Sequence, residues 1–122
     1  AHMRGLPLNG QLIELGGSFV REDRTAPYYR LYSLEGFSPI RPGMIRVSNP
    51  ADGSSIALEV WAIPTSSVGR LLMQIPAPLG LGTLELDSGD TVKGFVCEAA
   101  AAVSAKDITA HGGWRTYLTT LC

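Results

Sequence analysis

Long apolar runs are missing from this sequence, and so is any cluster of like charge. No stretch approaches the ~18 apolar residues of a membrane-spanning helix. Charged residues are 17% of the chain, the formal net charge is −1 and no Lys/Arg cluster stands out, so nucleic acid is a poor partner. Such a partner calls for a basic face that neutralises phosphates. Histidine is limited to His2 and His111, and cysteine to Cys97 and Cys122, with no CxxC or other metal-ligand spacing. No metal and no cofactor are therefore expected. The two thiols are expected to be reduced and not bonded to each other. No basic-then-apolar leader opens the chain, and a cytoplasmic location is the expectation. What is present is a hydrophobic fraction of 45% in 122 residues, enough for one core in one domain spanning 1–122.

Local patterns give an alternation of strands and short helices. Leu8, Leu12 and Leu15 have helical spacing between Pro7 and Gly16-Gly17, which predicts a short helix near 7–15. Strands are predicted at 18–22, at 28–34 (aromatic-rich, between Pro27 and Gly36), at 44–47 and at 56–63. A Ser/Thr-capped helix is predicted at 66–75, stopped by Pro76-Ala77-Pro78. Segments 82–86 and 91–98 flank the turn Asp87-Ser88-Gly89-Asp90 and read as a hairpin. Ala99–Ala102 suits a helical turn, and the tail from Gly113 to Leu121 suits a last short helix. About six strands with short helices between them predict a closed or nearly closed mixed sheet.

Five segments, in order, carry a family resemblance. They are Ala1-His2-Met3-Arg4-Gly5-Leu6-Pro7-Leu8-Asn9-Gly10-Gln11-Leu12; Thr25 to Tyr32; Ile75 to Leu86; Val92 to Glu98; and Asp107 to Arg115. Together they resemble the C-terminal domain of allophanate hydrolase along the whole chain. The family pattern has His at position 2, so Ala1-His2-Met3 reads as native sequence rather than a cloning scar. The resemblance implies an α+β fold: a mixed, β-barrel-like sheet with short helices, similar to the γ-glutamylcyclotransferases. It implies a parent chain whose amidase domain, with a Ser/Ser/Lys site, releases N-carboxycarbamate. This domain would then decarboxylate that small anionic substrate toward ammonia and carbon dioxide, late in urea breakdown. Two alternatives stand beside that reading. One is a non-catalytic binding or assembly module of the same enzyme, which could serve a homo-oligomer. The other is a freestanding small-molecule enzyme of the cyclotransferase-like fold.

Decarboxylating a dianion requires donors for its carboxylates and a proton for the nitrogen. Histidine titrates near working pH, and arginine offers a planar fork of donors. His2 is the candidate general acid, placed at the end of a first strand. Arg30, Tyr29 and the backbone around Gly5 and Leu6 are the candidate substrate contacts. His111 is expected in solvent, Arg115 on the surface beside Trp114, and Glu85 and Glu98 carry little functional weight. Cyclotransferases need a carboxylate base after the central helix, where this chain has Ile75-Pro76. The protein is accordingly expected not to release 5-oxoproline from γ-glutamyl amino acids. Turnover above background would mean that another carboxylate, such as Glu85, has taken the base's role.

Overall fold

The computed structural model describes residues 1–121; Cys122, and with it the expectation about Cys97 and Cys122, lies outside them. Seven strands and four short helices follow one another as α1 (Asn9–Glu14), β1 (Ser18–Arg24), β2 (Tyr29–Leu34), β3 (Arg41–Arg46), β4 (Ala57–Ala62), α2 (Val68–Met73), β5 (Leu79–Glu85), β6 (Thr91–Cys97), α3 (Ala99–Ala102), β7 (Lys106–Asp107) and α4 (Trp114–Thr119). The class is α+β, as expected. The strands pair antiparallel in three small sheets, β1-β4, β3-β2-β7 and β5-β6, rather than in one continuous ladder. Single bridges stitch the sheets together: Thr25 with Leu86, Tyr29 with Ser54, and Ala57 with Gly113, the last running parallel.

The helices are shorter than their apolar spacing suggests. The first begins at Asn9 because residues 3–8 form hydrogen-bonded turns, with Leu6 N–H donating to Met3 C=O and Leu8 N–H to Ala1 C=O. Gly17 closes it tightly, since a Cβ there would lie 2.7 Å from the Leu12 carbonyl oxygen. In the second, residues 65–67 form a 3₁₀ turn that leads into α2. Two strands start earlier than expected, and β1 runs on to Arg24. β3 starts at Arg41, inside the Pro/Gly-rich stretch that reads as loop, and β5 starts at Leu79, directly after Pro78. The hairpin forms as anticipated, with Glu85 opposite Thr91 and Gly89 at φ +94° in the turn.

The main core gathers Tyr29, Leu31, Ile56, Leu84, Ile108, Trp114 and Tyr117, and a second cluster joins Leu12, Leu15 and Leu71 beneath α1 and α2. Buried threonines hold the strand ends. Thr25 Oγ1 accepts from Ile56 N–H at 2.9 Å, and Thr109 Oγ1 accepts from Leu31 N–H at 2.9 Å while donating to Asp107. Ile108, at 0% exposure, sits under that second latch. Ile108→Ala should lower unfolding free energy by about 2–5 kcal/mol in urea titrations. Met73→Ala, at an 88% exposed position, should change it by less than ~0.5 kcal/mol.

Candidate active site

The three sheets and α2 leave between them a cavity of about 770 Å³. Its walls are mostly apolar, including Leu31, Ile56, Leu71, Leu84, Phe95 and Trp114, and its polar groups are His2, Arg41, Glu59 and Lys93. That combination of an apolar body and a few convergent polar groups is usual for small-molecule sites.

His2 lies in irregular chain before the turns, not at the end of a strand. Its ring stacks on Phe95, with centroids 4.5 Å apart and planes 18° off parallel. Its Nε2 is 2.8 Å from Gln11 Oε1, and its carbonyl accepts from Asn9 Nδ2 at 2.9 Å. The amide oxygen can only accept, so Nε2 carries the hydrogen and Nδ1 the lone pair. Burial pushes the imidazole down to about 4; the Gln11 bond opposes this, while the charge of Arg41 adds to it. His2 is therefore neutral at pH 7 when nothing negative is beside it. Arg41, at the start of β3, supplies the nearby cation. Among the described residues its Nε is buried without a hydrogen-bond partner, and its guanidinium lies 5.2 Å from the Phe37 ring centre. A buried donor left unpaired is costly, and a carboxylate placed there would satisfy it.

The N-terminal segment is tied to the body through Glu59 on β4. Its carboxylate accepts from Arg4 N–H (3.0 Å), Arg4 Nε (3.3 Å), Trp61 Nε1 (3.1 Å) and an Arg115 terminal nitrogen (3.1 Å). Burial would raise this carboxyl, but the four donors outweigh it and hold it below its ordinary value. Glu59 is thus a carboxylate in the cavity wall, but one whose lone pairs are committed and whose basicity is low.

The other expected site residues lie elsewhere. Arg30 does not line the cavity. Leu31 faces inward, so its neighbour on β2 faces out, where Arg30 pairs with Asp107 at 2.7 Å and donates to the Asp52 carbonyl at 2.7 Å. Tyr29 is a core residue, 1% exposed, whose hydroxyl accepts from Glu85 N–H. Gly5 takes φ +76° to close the turn, and Leu6 packs against the main core; neither lines the cavity. The neighbouring amides of Arg4 and Leu6 are already bonded to Glu59 and Met3. His111 is part-buried rather than solvated, edge-on to Tyr117 at 5.2 Å. Arg115 is exposed, as expected, and from the surface it donates to Glu59 and the Arg4 carbonyl. Arg41, Gln11 and Glu59 escaped the sequence reading. Arg41 sits among prolines, and the partners of Glu59 are far away in the chain. Gln11 could have been noticed, since it lies within the same opening motif as His2.

Fold and cavity together define a small α+β domain with a histidine and an unpaired arginine over an apolar chamber. The family model described as the allophanate hydrolase C-terminal domain matches residues 1–119, and the chain belongs to that family. The urea amidolyase of Saccharomyces cerevisiae is 38% identical over 120 residues, which are 96% of this chain and 6% of that protein. This chain is thus a small fraction of that relative's length. The Kluyveromyces lactis allophanate hydrolase structure superposes with a TM-score of 0.95 at 37% identity, covering 100% of this chain and 20% of that one. A uropathogenic E. coli-specific protein superposes with a TM-score of 0.88 at 41% identity, covering 97% of this chain and 89% of that one.

The depressed imidazole has a measurable consequence. Above pH 6.5 His2 is neutral whether the chain is folded or unfolded. Between pH 6.5 and about 4 the unfolded chain takes up a proton that the folded one refuses, so stability falls as pH falls through that window. The urea midpoint of the parent should drop more between pH 7 and pH 4.5 than that of His2→Gln. Equal drops would mean that His2 is not buried as described.

Proposed function

We propose that this domain decarboxylates N-carboxycarbamate, with His2 as the proton donor and Arg41 as the carboxylate clamp. The observation that carries the reading is the pairing of a sequestered imidazole with an unpartnered guanidinium nitrogen in one cavity. In the reaction the bond from one carboxylate carbon to nitrogen breaks, and its electron pair goes to nitrogen. Nitrogen takes the proton from His2, giving carbon dioxide and carbamate, which takes up a further proton from solvent and decays to ammonia and a second carbon dioxide.

The free site holds His2 neutral, and a neutral imidazole is a poor acid. A bound dianion reverses that balance, because negative charge beside the ring favours the imidazolium. The substrate thus raises the pKa of its own proton donor toward the working range. Arg41 would hold the carboxylate that stays. The carboxylate that leaves becomes an uncharged molecule, which the apolar walls accept more readily than they accept the ion. An amidase in the parent chain would supply the substrate, since nothing in this sequence resembles a Gly/Ser-rich amidase signature.

The test couples the domain to an amidase that generates the substrate and follows carbon dioxide and ammonia separately by stopped flow. His2→Ala should slow carbon dioxide release by ~10²–10⁴-fold, the usual contribution of a positioned general acid, while allophanate cleavage is unchanged. Arg41→Ala should weaken substrate binding, and Arg30→Ala should change neither quantity. If His2→Ala releases carbon dioxide as fast as the parent, His2 is not the acid. If removing the whole domain also changes nothing, the domain is an assembly module.

A further inference from the structure

Glu59 is the most heavily bonded side chain near the cavity, yet the proposed chemistry does not use it. Its side chain is 4% exposed, and every donor it accepts comes from Arg4, Arg115 or Trp61. Arg115 reaches it from α4 and also donates to the Arg4 carbonyl at 2.8 Å. The backbone on both sides of Arg4 is therefore gripped: the N–H by Glu59, the C=O by Arg115. The Arg4 side chain adds a second anchor, with its guanidinium 3.6 Å from the Phe19 ring centre and 3.1 Å from Glu22. Two residues upstream, the His2 ring is held by the face of Phe95 and, among the described residues, by one hydrogen bond, to Gln11.

From this geometry we infer that Glu59 is a positioning residue for His2, acting through the clamped Arg4 peptide and not by touching substrate. The inference rests on the reading of His2 as the proton donor for its kinetic consequence, but not for its structural one. A general acid must lie within hydrogen-bond reach of the atom it protonates. A segment freed at Arg4 would let the ring leave Phe95 and meet water.

The sign of one measurement separates positioning from plain electrostatics. Removing a negative charge near an imidazole favours its neutral form and lowers its titration point. Freeing the ring into water raises it instead, from about 4 toward the ordinary 6.5. Proton NMR titration of the intact chain reads this directly. In Glu59→Gln the His2 resonance should titrate at higher pH than in the parent and lose the ring-current shift from Phe95. Arg115→Ala, at a half-exposed position, serves if Glu59→Gln does not fold; its readout is a partial loss of the Phe95 ring-current shift at His2, because removing a positive charge raises an imidazole by itself. In the coupled assay Glu59→Gln should reduce carbon dioxide release by about 10- to 100-fold, with KM little changed, as expected for a misplaced acid. A lower melting temperature with the His2 titration unmoved, or moved downward, would make Glu59 merely structural and overturn the inference. A His2 titration that rises while decarboxylation is unaffected would keep Glu59 as the positioning residue and remove His2 from the chemistry.

Discussion

Glu59 sits in the middle of β4 with its side chain almost wholly buried, and a charge so placed is tolerated only when it is paired and hydrogen-bonded. Three parts of the chain converge to meet that demand: the turn at Arg4, the indole of Trp61 two residues along the strand, and Arg115 at the far end of the sequence. The consequence is architectural. The first residues cannot drift from the body without uncovering a buried carboxylate. They lie along the cavity, where Ala1, His2 and Met3 form part of the wall. Short helices and three small sheets, none extensive by itself, are joined there around one interior.

The same constraint sets the electrostatics of the cavity. Glu59 is neutralised by its own partners, so it contributes little free negative charge. Arg41 keeps a donor without a partner, and His2 is driven neutral by burial with the positive charge of Arg41 adding to it. An unpartnered cationic donor beside a neutral histidine favours an anion over a cation. The apolar remainder of the chamber penalises any charge that lacks a partner. In the proposed reaction a small dicarboxylate would meet both conditions: it would pair with Arg41 while charged and leave a neutral fragment in an apolar space.

Much of this fold is legible in the sequence, and the gaps have physical causes. The 91–98 hairpin arm, the aromatic strand at 28–34 and the strand at 56–63 follow from alternation and turn chemistry, which are local. β3 and β5 begin earlier than expected because proline marks the chain but does not forbid a strand from starting next to it, as at Pro78. His2 was identifiable through family resemblance, not through periodicity. Arg30 looked like a clamp because a charge in an aromatic strand is unusual. Its partner, Asp107, lies on the short strand β7, so that pairing is a tertiary fact no local pattern carries. Glu59 reads as an ordinary outward residue of an alternating strand, since Arg4 and Arg115 lie 55 and 56 positions away.

The site can be probed most directly with a dicarboxylate that does not decompose. Malonate has the length of N-carboxycarbamate with carbon in place of the reacting nitrogen. Titrated into the 15N-labelled protein, it should shift the resonances of His2, Arg41 and Phe95 together and raise the pH at which His2 takes up its proton. Shifts confined to Arg30 and Asp107, or no saturable shift at His2 and Arg41, would contradict the placement of the anion site in this cavity.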